Sequence, residues 1–199
     1  MNDDIEVNEH REKMRKEFAE FSKKMAQRPF HRNITAKLIS DLSDKEIETT
    51  MYDIVWAANA NLDQLLNHLP RGYSLVYFTM VLENEVSNGG FNQLFHNKPQ
   101  NFVDMTIKCY EFLGLKNVIE VINNASFIHK KEFAKKKVLW LKHTIEAFMK
   151  SYEFSALDDT SEKMWSLSDE IRIKRIEYIR ANPEDFIGDY HDLYDTAKS

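Results

Sequence analysis

Cysteine is almost missing from this chain of 199 residues. Cys109 stands alone, which excludes an internal disulfide framework and fits a reducing compartment. It falls within an apolar helical pattern and reads as a buried, inert thiol. Glycine and proline are scarce too, with five and four residues, so turns are few and long helices are favoured over a many-stranded sheet. The most apolar run, Tyr73 to Val86, is far too short to span a bilayer. The opening MNDDIEVNEHREKM lacks the basic start and apolar run of a secretory leader, so a cytoplasmic location is expected. No G-x-x-x-x-G-K, G-x-G-x-x-G, H-E-x-x-H or G-x-S-x-G signature occurs, and no E-x-x-H pair suits a di-iron bundle. The seven histidines are scattered. Asp189-Tyr190-His191-Asp192 has metal-ligating residue types, but an exposed acidic tail is the simpler reading. Neither a cofactor nor a metal is expected.

What is present describes one ordinary domain. With 43% hydrophobic and 12% aromatic residues, the chain is not disordered by composition and can bury a real core. The net charge of −5 is unevenly spread. Lys116 to Lys150 holds eight lysines against three glutamates, and Tyr152 to Ser199 holds twelve acidic residues against six basic ones. The basic block points to an anionic partner and the acidic tail to a basic one, while solvated helix faces explain both without any partner. No basic groove interleaved with aromatics supports direct nucleic-acid binding.

Periodicity gives an all-α, single compact multi-helix domain of about eight to ten helices, preceded by a charged N-terminal helix within residues 1–29. That first helix, Ile5 to Gln27, carries a narrow stripe of Met14, Phe18, Phe21 and Met25 and ends before Pro29. It is either packed on the domain (residues 30–199) or free as an arm. Asn33 to Asp41 gives a short helix. Ser43-Asp44-Lys45-Glu46 has capping-box spacing and opens a helix with Ile47, Met51, Ile54 and Val55 inward. Asn59 to Asn61 interrupts it, and Leu62 to Leu69 continues to Pro70. Phe102 to Leu113 is expected as a helix with Phe102, Met105, Cys109 and Phe112 on one side and Gly114 as its stop. Leu115 to Ile122 is a shorter helix ended by Asn123-Asn124. Lys130 to Tyr152 is a long one, with Phe133, Val138, Leu141, Ile145 and Phe148 inward and Lys135, Lys136 and Lys137 at its outer surface. Ser155 to Ser161 reads as a loop, Ser168 to Ala181 as a helix, and Glu184 to Tyr194 as a last short helix.

The chain is organised around Tyr73 to Asn97, YSLVYFTMVLENEVSNGGFNQLFHN. Its first half is apolar on almost every face, as in a helix buried among others. Asn88-Gly89-Gly90 can end that helix, which leaves Glu83 and Glu85 near a carbonyl-rich terminus where anions are disfavoured. Backbone N–H groups of a next helix, from Gly90-Phe91, are the simplest partners for these carboxylates. Read functionally, Glu83, Glu85, Asn88, Asn92, Gln93 and Asn97 form a polar pocket. Read structurally, they form a buried corner whose polar groups satisfy one another. Two residues apart on a helix, Glu83 and Glu85 point in roughly opposite directions, which argues against a shared catalytic pair.

The segment Glu83 to Asn97 resembles the hallmark of the bacterial DNA-mimic-protein family, E-x-E-V-x-N-G-G-F-x-Q-[YF]-F-x-N. It matches at Glu83, Glu85, Val86, Asn88, Gly89, Gly90, Phe91, Gln93, Phe95 and Asn97, and departs at Leu94, where an aromatic is usual. Tyr178-Ile179-Arg180-Ala181-Asn182-Pro183-Glu184-Asp185-Phe186 is similar to the family's closing Y-I-x-x-N-P-x-x-F. The resemblance covers roughly Ser43 to Phe186. It implies a helical, non-enzymatic interaction protein whose surface carboxylates, spaced like DNA phosphates, occupy the DNA-binding face of a transcription regulator. The residues for such a surface are Asp158, Asp159, Glu162, Asp169, Glu170, Glu177, Glu184, Asp185, Asp189 and Asp192, none of them fixed by the shared motif. The expected partner is thus a basic protein, and a homodimer is compatible with the sequence. Two other readings stay open: an immunity protein neutralising a basic bacterial toxin, and a small-molecule-binding or enzymatic domain built on the Glu83 to Asn97 corner.

Overall fold

A computed structural model describes residues 30–58 and 69–195. The chain divides into two units, Met1–His31 and Arg32–Ser199, and the fold below is that of the second. The helix expected over Ile5 to Gln27 and the segment from Asn59 to His68 lie outside the described residues.

In order, the elements are β1 (Asn33–Ile34), α1 (Ala36–Asp41), α2 (Asp44–Ala58), α3 (Arg71–Asn97), α4 (Gln100–Phe112), α5 (Lys116–Trp140), α6 (Ile145–Tyr152), α7 (Asp158–Ser166), α8 (Ser168–Ala181), a 3-10 turn (Pro183–Asp185), β2 (Gly188–Asp189) and α9 (Asp192–Asp195). The protein is all-α; among the described residues the exception is one antiparallel strand pair that sets Asn33 against Asp189 and Ile34 against Gly188. Among the described residues, no helix is long and apolar enough to cross a membrane.

The N-terminal helices start where side chains can satisfy free backbone donors. Thr35 caps α1 through the N–H of Leu38 (3.1 Å). At α2 the expected capping box is present: Glu46 accepts from the Ser43 N–H at 2.9 Å, and Ser43 Oγ accepts from the Glu46 N–H at 3.4 Å. Ile47, Met51, Ile54 and Val55 are buried as their spacing predicts. α3 is the axis of the fold and packs against α2, α4, α5, α7 and α8. Its Val76, Leu82, Val86, Phe91 and Leu94 have no exposed surface. Fully burying side chains of this size contributes about 1.5–3 kcal/mol each. At its start, Gly72 lies under the Phe186 ring, where an added Cβ would come within 2.5 Å of the ring.

Several expectations fail in the second half. α4 buries Phe102, Val103, Thr106 and Tyr110, whereas Met105 and Phe112 are exposed, so its inner face is rotated from the one expected. Gly114 does stop it, with φ +74°. α5 runs unbroken through Asn123-Asn124, where a turn was expected, and buries Val118, Ile122, Ala125, His129 and Lys136. The long helix expected to Tyr152 breaks instead at Leu141–Thr144. There His143 takes φ 51° and Thr144 caps α6 through the Ala147 N–H (3.2 Å). The expected inner stripe is therefore largely outside: Phe133, Val138, Leu141 and Ile145 are exposed and Phe148 is half-buried. Lys136, expected at the surface, is buried. Asp158 to Ser161, expected within a loop, forms the first turn of α7, with Asp158 and Asp159 at its positive end. α8 has the bounds expected, but the last expected helix is replaced by the 3-10 turn, β2 and the single turn of α9.

Candidate functional site

The break at Asn88-Gly89-Gly90 is a kink within α3 rather than a loop, with Gly90 at φ 65°, ψ −171°. That conformation is essentially restricted to glycine. A kink frees backbone groups that a straight helix would pair. Three side chains from two other helices, α6 and α7, take them up. Ser161 Oγ accepts from the Phe91 N–H (3.1 Å), Tyr152 O–H donates to the Gly89 carbonyl (2.7 Å), and Trp165 Nε1–H donates to the Val86 carbonyl (3.1 Å). Neither Glu83 nor Glu85 caps the second half, contrary to expectation; the serine of α7 does so.

Glu85 instead clamps the kink from outside. Gln93 Nε2 and Asn97 Nδ2 donate to its Oε2 at 2.9 and 2.8 Å, and Lys98 Nζ lies 3.5 Å from Oε1. Glu83 faces the other way, as the spacing implies, and meets Arg175 of α8. Arg175 is 2% exposed; it donates to both oxygens of Glu83, to Glu48 Oε1 (2.7 Å) and to Thr79 Oγ1 (3.2 Å). Burial lifts the Glu83 carboxyl above its ordinary range, and Arg175 pulls against that lift. Burial also opposes the Arg175 charge, but Glu83 and Glu48 outweigh it and hold the guanidinium above its ordinary value. Tyr110, buried beside this group, is pushed well above the usual phenol range by burial and the neighbouring Glu83.

Asn92 belongs to a third cluster. Its Oδ1 accepts from Lys136 Nζ (2.6 Å), which also reaches Ser155 Oγ (3.0 Å) and Glu132 Oε2 (2.6 Å). Asn88 is exposed and joins none of the three clusters. Phe91 and Phe95 are core residues, stacked at 5.8 Å between centroids. The six polar residues expected to form one pocket therefore do not converge: Glu83 joins Arg175, Gln93 and Asn97 join Glu85, Asn92 joins Lys136, and Asn88 stays outside. Arg175, Lys136, Ser161, Tyr152 and Trp165 complete these arrangements, and sequence reading singled out none of these as site residues. Arg175 carries a legible signal, an arginine on α8 flanked by Ile171, Ile176 and Ile179.

Of the ten carboxylates expected as a partner surface, nine are exposed: Asp158, Asp159, Glu162, Asp169, Glu170, Glu177, Glu184, Asp189 and Asp192. Asp185 is the exception. It is buried, bonded to Arg71 Nε (2.9 Å) and to the Tyr178 hydroxyl. Burial works to raise its carboxyl, but these two bonds win and hold it below the usual carboxylate range. Lys174 lies 2.8 Å from Glu177, and Arg172 lies 3.6 Å from Asp169. Such exposed pairs are weak. Cys109 is half-buried, and burial pushes its thiol up to about 11, which fits the inert reading.

Two open grooves flank the second half of α3. One, of about 360 Å³, lies among Gln93, His96, Asn97, Trp140, His143, Thr144, Ile145 and Phe148. The other, of about 350 Å³, is lined by Phe95, Lys98, Pro99, Gln100, His129, Lys130 and Phe133. Among the described residues no group of three His, Cys, Asp or Glu is placed to hold a metal ion.

Neither the curated proteins nor the solved structures contain a match to this chain. A protein family does: the profile of the DMP19-like proteins matches residues 67–182, a shorter span than the Ser43 to Phe186 expected from the resemblance. That match covers more than half of the 199 residues and contains α3 with its kink and all of α8, and on it the chain belongs to the DMP19-like protein family.

Proposed function

We propose that this protein is a non-enzymatic interaction module that uses the exposed carboxylates of α7, α8 and the C-terminal turns as a DNA-like surface for a basic, DNA-binding partner. The observation that carries the reading is a contrast in what the polar groups do. The motif carboxylates Glu83 and Glu85 are consumed by internal partners, whereas nine of the ten tail carboxylates face solvent. Glu170 and Glu177 lie two turns apart on α8, roughly 10 Å along its axis, close to three steps of the ~3.4 Å phosphate rise along a DNA strand. A basic DNA-binding face is drawn to such an anionic surface by the same field that draws it to DNA. Membership of the DMP19-like family supports this direction.

The test is affinity capture from lysate at low and high salt, followed by competition for the captured protein's DNA. The expected result is a basic DNA-binding regulator, held at low salt, released at high salt, and displaced from its DNA by this protein. Changing Glu162, Glu170 and Glu177 together to Gln should weaken capture while leaving the fold intact. Capture of a nuclease toxin with no DNA-binding regulator would replace this reading with an immunity function. Salt-independent capture would overturn both.

A further inference from the structure

The outward face of α5 carries a pattern that the acidic surface does not use. Phe127, Lys131, Ala134, Val138 and Leu141 follow one another at steps of four, three, four and three, and all five are exposed. That spacing is a heptad seam, the a and d positions that one helix presents to another. The opposite face is the one the fold occupies, with Ile122, Ala125, His129 and Lys136 buried. Phe127, Val138 and Leu141 keep 57%, 64% and 62% of their surface in solvent. Leu141 closes the seam in helical register, since its N–H donates to the Lys137 carbonyl at 3.0 Å.

Charge supplies a second, independent observation. The positions that flank a heptad seam, e and g, are filled by lysine on both sides: Lys135 and Lys142 on one, Lys130 and Lys137 on the other. All four are exposed, and among the described residues none of them is ion-paired. The paired lysine of this helix is Lys136, which is buried against Glu132. Flanking charges of one sign select a facing helix that bears the other.

The same residues argue against other occupants. A second copy of this chain would set lysine against lysine on both flanks. Lys131 and Ala134 in the middle of the seam leave too little apolar surface to seat α5 in a lipid interface. Val138 and Leu141 give a nucleic-acid base no ring to stack on. A facing helix suits both central residues. Ala134 lets its backbone approach closely, and a single lysine at an a position fixes register.

We propose that the outer face of α5 docks an acidic amphipathic helix of another protein. That helix carries apolar residues on its own seam and Glu or Asp at the positions facing the four lysines. The seam spans about two heptads, so the contact is a reversible docking onto a helix already ordered by its buried face. This surface is separate from the acidic one and opposite to it in charge.

The test is fluorescence anisotropy with the full-length protein and a labelled synthetic helix of three heptads, with Ile at a, Leu at d and Glu at e and g. A scrambled peptide of the same composition and a version with Lys at e and g serve as controls. The expected result is saturable binding of the Glu peptide, at least roughly tenfold tighter than either control, a difference of about 1.4 kcal/mol. Val138→Ser together with Leu141→Ser, both on exposed side chains, should weaken that binding by a similar factor. Changing Lys130, Lys135, Lys137 and Lys142 together to Glu should reverse the preference toward the Lys peptide. Lys108→Glu, exposed on α4 and off this face, should leave binding unchanged. No binding of the Glu peptide, or equal binding of the scrambled one, overturns the proposal. Self-association of the protein, or binding to phosphatidylcholine vesicles containing phosphatidylserine, that disappears in the Val138/Leu141 double variant would assign the face to a second copy or to a membrane, and would overturn it as well.

Discussion

Arg175 is a single cation serving two carboxylates, with 2% of its surface exposed. Replacing it with Met would leave Glu83 and Glu48 facing each other in a low-dielectric setting. Breaking a buried pair in this way typically costs about 3–5 kcal/mol. Urea unfolding should show a loss of that size for Arg175→Met, with part recovered when Glu83→Gln is added. A double variant no more stable than the single one would mean that the pair is not coupled. His129 makes a different, pH-dependent contribution. Burial, with Lys136 nearby, lowers its pKa from 6.5 to about 4, so the folded protein holds the imidazole neutral. A depressed value means stability is present above the unfolded pKa and is lost as protons bind the unfolded chain below it. Between pH 6.5 and pH 4 this should cost on the order of 2 kcal/mol, allowing for partial screening. The acid side of the urea-midpoint profile should be flatter in His129→Gln; an unchanged slope would remove His129 from the acid response.

At the scale of elements, the kink of α3 is the feature that local sequence states best. Asn88-Gly89-Gly90 marks the break in a run otherwise free of glycine between Tyr73 and Val86, and the break occurs there. Gly90→Ala should lower stability by about 2 kcal/mol or more, since φ +65° with ψ near 180° excludes a side chain and the new Cβ would lie 2.8 Å from Ser161 Oγ. A melting temperature within a degree of the parent would contradict this. The partners of the kink were not legible, because Tyr152, Ser161 and Trp165 lie 60 to 80 residues away and no local pattern announces a long-range hydrogen bond. α5 and α6 show the opposite failure. Apolar residues such as Phe133, Val138, Leu141 and Ile145 read as an inner stripe, but exposed apolar side chains are common and periodicity alone does not say which face is covered. The stop was legible in principle, since Thr144 followed by Glu146 is a helix-start pattern.

At the scale of the molecule, the two ends of the described unit are closed onto one another. Tyr73 donates to the Phe186 carbonyl at 3.0 Å, Tyr190 donates to the same carbonyl at 2.9 Å, and the three rings pack edge to face. Tyr190 N–H reaches the Arg32 carbonyl at 2.8 Å beside the strand pair. The Phe186 and Tyr190 side of this closure lies beyond residue 182, where the family match ends, and its strand pairing could not be read from two-residue strands. Phe186→Ala should cost about 3–5 kcal/mol, the range for emptying a fully buried phenylalanine site. A loss under about 1 kcal/mol in chemical denaturation would show that the C-terminal segment is dispensable to the unit. The all-α class followed from scarce turns and helical periodicity, and α2 and α8 were legible nearly to the residue because caps and breakers bound them. The grouping of polar residues into three clusters was not, because it depends on which helices meet.

The serine that holds the kink has a consequence for recognition. Ser161 grips the Phe91 N–H from α7, the same helix that displays Asp158, Asp159 and Glu162 to solvent. Those carboxylates thus sit on a backbone already fastened to the molecule's central axis. A partner docking on α7 would meet a mould rather than a brush of loose charges. The ordering of its backbone is completed during folding, and little remains to be lost on association.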